Sequence, residues 1–293
     1  MRTTAENAEL ALLLEVAGTP KPGNVDRHRE YPDLRFEHFL AGAVGAREGL
    51  AMAADGEPLG AAFLRAVSGM SQQSGGNTQF GALLLQVPLV AAAGAGDAGE
   101  ADDGTEAGDD DRELTPEGAT AAVEGTTVAD AADFYRAFEA VDVAVPDPPE
   151  GLEPLDVRRG SEAISELESR ELTLADVMAQ SAPVDGVARE WVEGFERTFD
   201  AARAIEHREG PVTDRAAAVF LDLLADEVDT FVAKRHDRET AERVRERAAA
   251  AREGEVDTET LAEEFVAEGI NPGTTADIVA GALFVALERG LDV

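Results

Sequence analysis

The segment from Pro20 to His28 is one of three polar clusters that could do chemistry. It reads Pro-Lys-Pro-Gly-Asn-Val-Asp-Arg-His, and Asp33 extends it. Lys21 is one of only two lysines among 25 basic residues, and two prolines hold it in place. A compact ammonium suits a point-charge contact with phosphate, so we predict that role for Lys21. The alternative is a rigid surface turn, for which this composition is also common.

The second cluster is Ser74-Gly75-Gly76-Asn77-Thr78-Gln79. Glycines before a helix allow a ligand to approach the backbone, and the free N–H groups of the first helical turn favour an anion. The alternative is an ordinary loop in which Asn77 caps the helix.

The third cluster is Asn271-Pro272-Gly273-Thr274-Thr275-Ala276-Asp277. It again places glycine and hydroxyl groups where a helix should begin. Taken alone, this segment favours a threonine cap with an aspartate in the first turn, which the helix dipole stabilises.

Three aspartates, Asp222, Asp226 and Asp229, have spacings of four and three. On one helix they would share a face and could hold Mg²⁺ or a magnesium phosphate. The alternative is chance, because the chain has 60 acidic residues. The four histidines are scattered, and their spacing builds no metal-ligand set.

The elements that must position these clusters have helical periodicity throughout. Thr3-x-x-Glu6 predicts a capping box, and Gly18 and Pro20 should end the first helix. Pro58 should open another helix, and Thr115 should cap a further one with Pro116 at its first position. The helix after Thr78 is apolar on all sides, which predicts a central position. No strand alternation or repeat occurs. We therefore predict an all-α single domain over residues 1–293 with about ten helices. Residues 94–114 should form an acidic low-complexity surface loop and residues 238–252 an exposed helix.

Composition excludes several classes of protein. Sixty acidic residues against 25 basic ones give a net charge of −35, which repels nucleic acid and anionic lipid. Without cysteine there are no disulfides, thiolate catalysis or iron–sulfur clusters. No apolar run would span a membrane or serve as a signal peptide, so we expect a cytoplasmic protein. An excess of acidic residues, with arginine in place of lysine, is typical of a halophilic protein. The high salt concentration around such a protein screens the repulsion between its negative charges.

Together these segments resemble the triphosphoribosyl-dephospho-CoA synthase family. Residues 15–26 are similar to its Pro-Lys-Pro-Gly-x-Val-Asp motif, and Gly76-Asn77-Thr78, ending at Gly81, to its Asn-Thr-His-Lys-Gly motif. Residues 159–163, 229–235 and 271–277 resemble three further motifs in the same order. The resemblance implies an all-helical fold. It also implies an enzyme that uses ATP and 3′-dephospho-CoA and releases adenine.

The chain departs from the family pattern at several positions. Gln79 and Phe80 stand where the family has His-Lys, and Phe231 replaces an asparagine. His236-Asp237 replaces a glycine pair, and Thr274-Thr275 replaces Gly-Ser. A shared scaffold with a changed substrate therefore stays open.

The implied reaction is attack by a ribose 2′-hydroxyl on C1′ of ATP, with oxocarbenium character in the transition state. The resemblance implies that Asp26 or Asp33 supplies a carboxylate near C1′. Lys21, Arg27 and Mg²⁺ held by Asp229 or Asp277 would bind the phosphates, and Asn77 and Thr78 would position the ribose or a phosphate. The other expected binding residues lie in the same motifs or in the polar cluster that follows the first one: Pro22, Gly23, Asn24, His28, Gly76, Arg235, Gly273, Thr274 and Thr275.

Two alternatives remain at this stage. One is a related N-glycoside transferase or hydrolase with a different acceptor, and the other is a non-catalytic helical protein that binds nucleotides. The expected partners are small-molecule nucleotides. A homodimer is compatible with the sequence, which leaves the oligomeric state open.

Overall fold

A computed structural model describes residues 2–98, 114–148 and 151–293. Within these ranges the chain is helical and contains no strand, so the predicted all-α class is confirmed. The fifteen α-helices of the described residues are α1 Thr4–Ala17, α2 Phe36–Ala54, α3 Leu59–Met70, α4 Phe80–Ala98, α5 Pro116–Glu124, α6 Val128–Ala137, α7 Ile164–Ser169, α8 Leu174–Ser181, α9 Gly186–Val192, α10 Glu196–His207, α11 Val212–Asp226, α12 Thr230–Arg235, α13 Arg238–Arg252, α14 Thr258–Ala267 and α15 Gly273–Glu288. Two short 3-10 helices cover Glu153–Leu155 and Val157–Ala163.

Two apolar helices form the centre of the fold. Residues Ala82 to Val90 of α4 are buried, and so is every residue of α15 from Thr274 to Leu287 except Asp277. Helix α15 packs against α1, α4 and α10. The predicted central position of α4 is therefore confirmed, and Asp277 is the one residue of the α15 core stretch that keeps some exposure.

Helices α2 and α3 pack closely through glycine. A Cβ at position 45 would lie 2.2 Å from the Gly69 carbonyl oxygen, and one at position 49 would lie 2.3 Å from the Ala66 nitrogen. These glycines let the two backbones approach. Helix α2 also packs on α1 and α4, and α3 on α6, so this pair joins the N-terminal helix to the centre.

Several local predictions are confirmed. The capping box at Thr3 is present, α3 begins directly after Pro58, and Thr115 caps α5 with Pro116 in its first turn. The described residues form fifteen α-helices, compared with the ten or so predicted. The difference arises because helices such as α7, α9 and α12 have only six or seven residues, too few to show a period.

Two boundary predictions are wrong. Helix α4 continues to Ala98, so residues 94–98 are helical and not part of a loop; alanine and glycine hide the period there. Residues 99–113 of the predicted loop lie outside the described residues, and its last residue, Leu114, is buried. Helix α13 is not exposed on all sides, because Ala241, Val244 and Ala248 form a buried stripe. Among the described helices, none is long and apolar enough to span a membrane.

Candidate active site

The three polar clusters of the sequence meet at one cavity of about 840 Å³, within the usual range for a small-molecule site. Each cluster contributes to its wall. The predicted site residues that line it are Asn24, Asp33, Gly76, Asn77, Thr78, Arg235, Gly273, Thr274 and Asp277. Residues 159–163, a further motif of the resemblance, do not line it.

The first cluster docks on the third through a glycine. Gly23 has a φ of 78°, and a Cβ there would lie 2.3 Å from the Ile270 carbonyl oxygen. The Tyr31 hydroxyl lies 2.6 Å from the Gly23 carbonyl and 2.8 Å from that of Ile270. Beside them, Asn24 donates to the Asn271 side chain at 2.9 Å. Gly23 therefore has a packing role, and Asn24 joins the two clusters at the cavity wall.

Lys21 is fully buried and does not line the cavity. Its ammonium donates to Asn24 Oδ1 at 2.9 Å and to the Glu15 carboxylate. Both partners do line the cavity, so Lys21 lies behind them. The expected direct contact between Lys21 and phosphate does not fit this position. Lys21 instead fixes two cavity residues from the protein side.

Glu15 is a cavity residue that the site prediction missed. It is 4% exposed, and burial raises its pKa even though Lys21 acts in the opposite direction. The family motif gave a signal for Glu15, because this residue begins the first motif of the resemblance. The helical pattern gave none, because it does not show which face of α1 meets the cavity.

Asp26 organises the loop and does not line the cavity. Its carboxylate accepts from the Thr19 hydroxyl at 2.9 Å and from the His28 and Arg29 N–H groups at 2.8 and 2.9 Å. The expectation that it lies near C1′ does not fit, because these donors occupy the carboxylate. Pro22, Arg27 and His28 also do not line the cavity. Of the two predicted carboxylates, Asp33 alone faces it.

The second cluster precedes α4 as predicted. Asn77 Oδ1 accepts from the Phe80 N–H at 3.1 Å, which is the capping contact that had been the alternative interpretation. Phe80, where the family has lysine, packs against Phe63 and Phe138 with ring centroids 5.1 and 5.0 Å apart. Its ring joins an apolar wall of the cavity together with Phe134, Phe138, Val143, Leu152, Leu155, Val177 and Met178.

The expectation that Asp222, Asp226 and Asp229 share one helix face is wrong. Helix α11 ends at Asp226, and Asp229 caps the next helix, so the three residues do not share a face. Asp222 pairs with Arg208, and Asp226 pairs with Arg252 at 2.5 Å.

Asp229 is buried and lies behind the cavity wall. One carboxylate oxygen accepts from the Phe231 and Val232 N–H groups at 2.9 and 3.0 Å. The other accepts from the N–H and hydroxyl of Thr275, both at 2.8 Å. Burial raises the pKa of Asp229, although these bonds act in the opposite direction. Asp229 and Thr275 thus join α12 to α15, and the expected metal ligation by Asp229 and substrate contact by Thr275 do not fit.

Asp277 faces the cavity at the start of α4. A Cβ at position 81 would lie 2.0 Å from Asp277 Oδ2, and the Ala82 backbone hydrogen-bonds to the carboxylate. Burial and the negative charges of Asp229, Glu15 and Asp185 raise the pKa of Asp277 well above its usual range. Gly81 therefore leaves room for a carboxylate from the third cluster beside the helix that follows the second.

The charges of the cavity wall are unequal. In the part of the chain that the structure describes, its cations are Lys234 and Arg235, in the last turn of α12. Lys234 pairs with Asp185, whose other oxygen caps α9. The site prediction included Arg235 but missed Lys234, although Lys234 is the second lysine of the chain. The carboxylates of the wall are Glu15, Asp33, Asp142, Asp147, Asp156, Asp185 and Asp277.

Comparisons with known proteins show the family to which the chain belongs. The family model for CitG, ATP:dephospho-CoA triphosphoribosyl transferase, matches residues 1–292. A crystal structure from Archaeoglobus fulgidus, of a protein named as a candidate triphosphoribosyl-dephospho-CoA synthase, is similar with a TM-score of 0.65 and 26% identity. That match covers 86% of this chain and 99% of the other. No curated protein gives a significant match. The chain belongs to the ATP:dephospho-CoA triphosphoribosyl transferase family.

Proposed function

We propose that this chain transfers the 5-triphosphoribosyl group of ATP to the 2′-hydroxyl of 3′-dephospho-CoA and releases adenine. The observation that carries the proposal is the meeting of three family motifs, more than 240 residues apart at their ends, at one cavity. Family membership supports the transferase activity and the ATP donor. An enzyme that consumes ATP would work in the cytoplasm.

The cavity wall needs additional positive charge to bind a triphosphate. Two cations face seven carboxylates among the described residues, so the wall alone would repel a polyanion. No group of three or more His, Cys, Asp or Glu residues in the described ranges could hold a metal unaided. Mg²⁺ is commonly bound by one or two carboxylates together with substrate phosphates, which fits this donor set. We assign Asp277 as the protein ligand. The ion would supply charge neutralisation of the phosphates when bound.

The reaction forms a bond from the acceptor oxygen to C1′ and breaks the bond from C1′ to the adenine nitrogen. The acceptor hydroxyl loses a proton, and adenine leaves with one. Glu15 is suited to accept the hydroxyl proton, because it faces the cavity and burial raises its pKa, which makes the carboxylate a stronger base. Asp33 lies at the exposed rim of the cavity. It is the proposed carboxylate that stabilises the positive charge at C1′ in the oxocarbenium-like transition state. Asn77 and Thr78 would position the ribose.

The test of this function is adenine release, measured by chromatography in molar KCl with ATP and Mg²⁺. We expect adenine only when 3′-dephospho-CoA is present. Adenine without the acceptor would instead indicate N-glycoside hydrolysis, which the loss of the His-Lys pair at Gln79 and Phe80 favours as the second candidate. Folded protein that binds ATP and releases no adenine would contradict both activities.

Arg235 gives a sharp test of the phosphate site. It lines the cavity and is exposed, and no ion-pair partner is found for it among the described residues. Arg235→Gln should therefore leave the fold unchanged and weaken ATP binding by roughly 10- to 100-fold, since a hydrogen bond to a charged group contributes about 1.5–3 kcal/mol. Calorimetry with Mg-ATP measures the change.

Arg238→Gln is the matched control. Arg238 is 81% exposed on α13 and pairs with Glu242, so the same change of charge occurs three residues away and outside the cavity. Equal losses of ATP affinity in the two variants would show a general electrostatic effect and contradict a phosphate contact at Arg235.

A further inference from the structure

The side chain of Gln79 is buried without hydrogen-bond partners. It is 3% exposed and lines the cavity, and neither Oε1 nor Nε2 has a partner. Leaving a buried polar group unpaired costs stability, and such groups are rare in folded proteins. A buried amide at a ligand cavity with both groups free points to a ligand that supplies the missing partners.

The surroundings of Gln79 position its side-chain amide but give it no hydrogen-bond partner. Its backbone N–H points to Met70 Sδ at 3.3 Å. A Cβ at position 42 would lie 3.1 Å from Gln79 Oε1 and 2.6 Å from Thr78 Oγ1, so glycine on α2 makes room for both polar side chains. Thr78 Oγ1 is also buried without a partner. The two unpaired side chains are neighbours in sequence and at the same wall.

The chemistry of the amide selects the class of ligand. A planar carboxamide presents an acceptor and a donor side by side, and the complementary pair on a nucleobase is the adenine edge, an amino donor next to a ring-nitrogen acceptor. The apolar wall that includes Phe80 and Phe138 suits a flat ring in the same cavity.

We propose that Gln79 binds the edge of an adenine ring and sets the base preference of this site. The inference rests on the proposed function, in which both substrates carry adenine: ATP as donor and 3′-dephospho-CoA as acceptor. The recognising group is a residue in which this chain departs from the resembled family, which has histidine there. The base would therefore be read here by a neutral amide.

The test is calorimetry of each substrate alone against the wild type and Gln79→Leu, in molar KCl with Mg²⁺. We expect Gln79→Leu to weaken one of the two substrates by about 10- to 100-fold, and the substrate affected identifies which adenine is bound. Purine riboside triphosphate, or the dephospho-CoA analogue that lacks the 6-amino group, should bind wild type as weakly as the variant binds the natural substrate. The variant should not distinguish the natural substrate from its analogue.

The controls separate recognition from structure. Gln79→Leu removes an unpaired buried amide, so its Tm should be unchanged or higher, and a lowered Tm with unchanged affinities would overturn the proposal. Gln72→Leu, an exposed glutamine outside the cavity, should change neither affinity. Equal discrimination against the analogue by wild type and variant also overturns the inference, even where adenine release occurs. If the wild type releases no adenine but discriminates against the analogue, and Gln79→Leu loses that discrimination, the result supports Gln79 and contradicts only the proposed reaction.

Discussion

Replacing Lys21 by alanine is expected to destabilise the protein by about 3–5 kcal/mol, the cost of leaving one member of a buried ion pair without its partner. The ammonium is fully buried between Glu15 and Asn24, so its removal leaves the buried Glu15 carboxylate without its ion-pair partner. Denaturant unfolding in molar KCl measures the loss. Adenine release should also be lost, because Glu15 and Asn24 line the cavity.

The double variant Glu15→Gln/Lys21→Met separates stability from activity. Replacing a whole buried pair by neutral groups of similar size is often close to neutral, so this variant should regain most of the stability lost in Lys21→Ala. It should remain inactive, because Glu15 is the proposed acceptor of the hydroxyl proton. A stable double variant with wild-type turnover would remove Glu15 from the chemistry and leave the pair a purely structural role.

Asp277→Asn is expected to lower turnover by about 100-fold or more and to raise Tm. Removing one electrostatic contact at a reacting centre commonly costs a factor of that order. The gain in stability follows from the raised pKa of Asp277, which burial and three neighbouring carboxylates cause. Asparagine keeps an oxygen for the Ala82 backbone and carries no charge. For a chain of this size, each kcal/mol gained would raise Tm by about 2–4 °C.

The pH dependence of stability provides a second measurement for the Asp277→Asn prediction. A carboxyl group with a raised pKa holds its proton more tightly in the folded state, so its contribution is fully favourable below the unfolded pKa, about 3.9. That contribution is lost as the pH rises through the folded pKa. Asp277→Asn should therefore flatten the fall of stability with pH above about pH 4. Asp142→Asn, an exposed cavity residue, is the control, and an equal flattening there would contradict the assignment to Asp277.

The sequence predicted the helices that carry the site better than the contacts inside it. Caps such as Thr3 and Thr115 depend on neighbours three residues away, so they can be found locally. The position of Lys21 depends on Glu15 and on the loop between them, and that of Asp229 depends on Thr275, 46 residues later. Spacing alone placed Asp229 on the preceding helix.

The rarity of lysine in this chain identified two residues next to the cavity, although the sequence did not show where in the fold they lie. Lys21 and Lys234 stood out as the lysines of an arginine-rich chain, and each proves to pair with a carboxylate that lines the cavity. The sequence shows Gln79 as a departure from the family motif, but it does not show that the amide of Gln79 lacks hydrogen-bond partners. Its unpaired amide becomes evident only when Gly42 of α2 and the start of α4 are placed together.

The contact between Asn24 and Asn271 joins residues 247 positions apart. Forming this part of the cavity wall therefore closes a loop that contains nearly the whole chain. Loop-closure entropy grows only with the logarithm of length, and the closure therefore costs little more at equilibrium than a much shorter one. Its consequence is kinetic, because contacts of high sequence separation slow folding. A nucleotide that bridges both ends of the chain would bind only after that closure, and the rate at which binding competence appears during refolding would report the last long-range step.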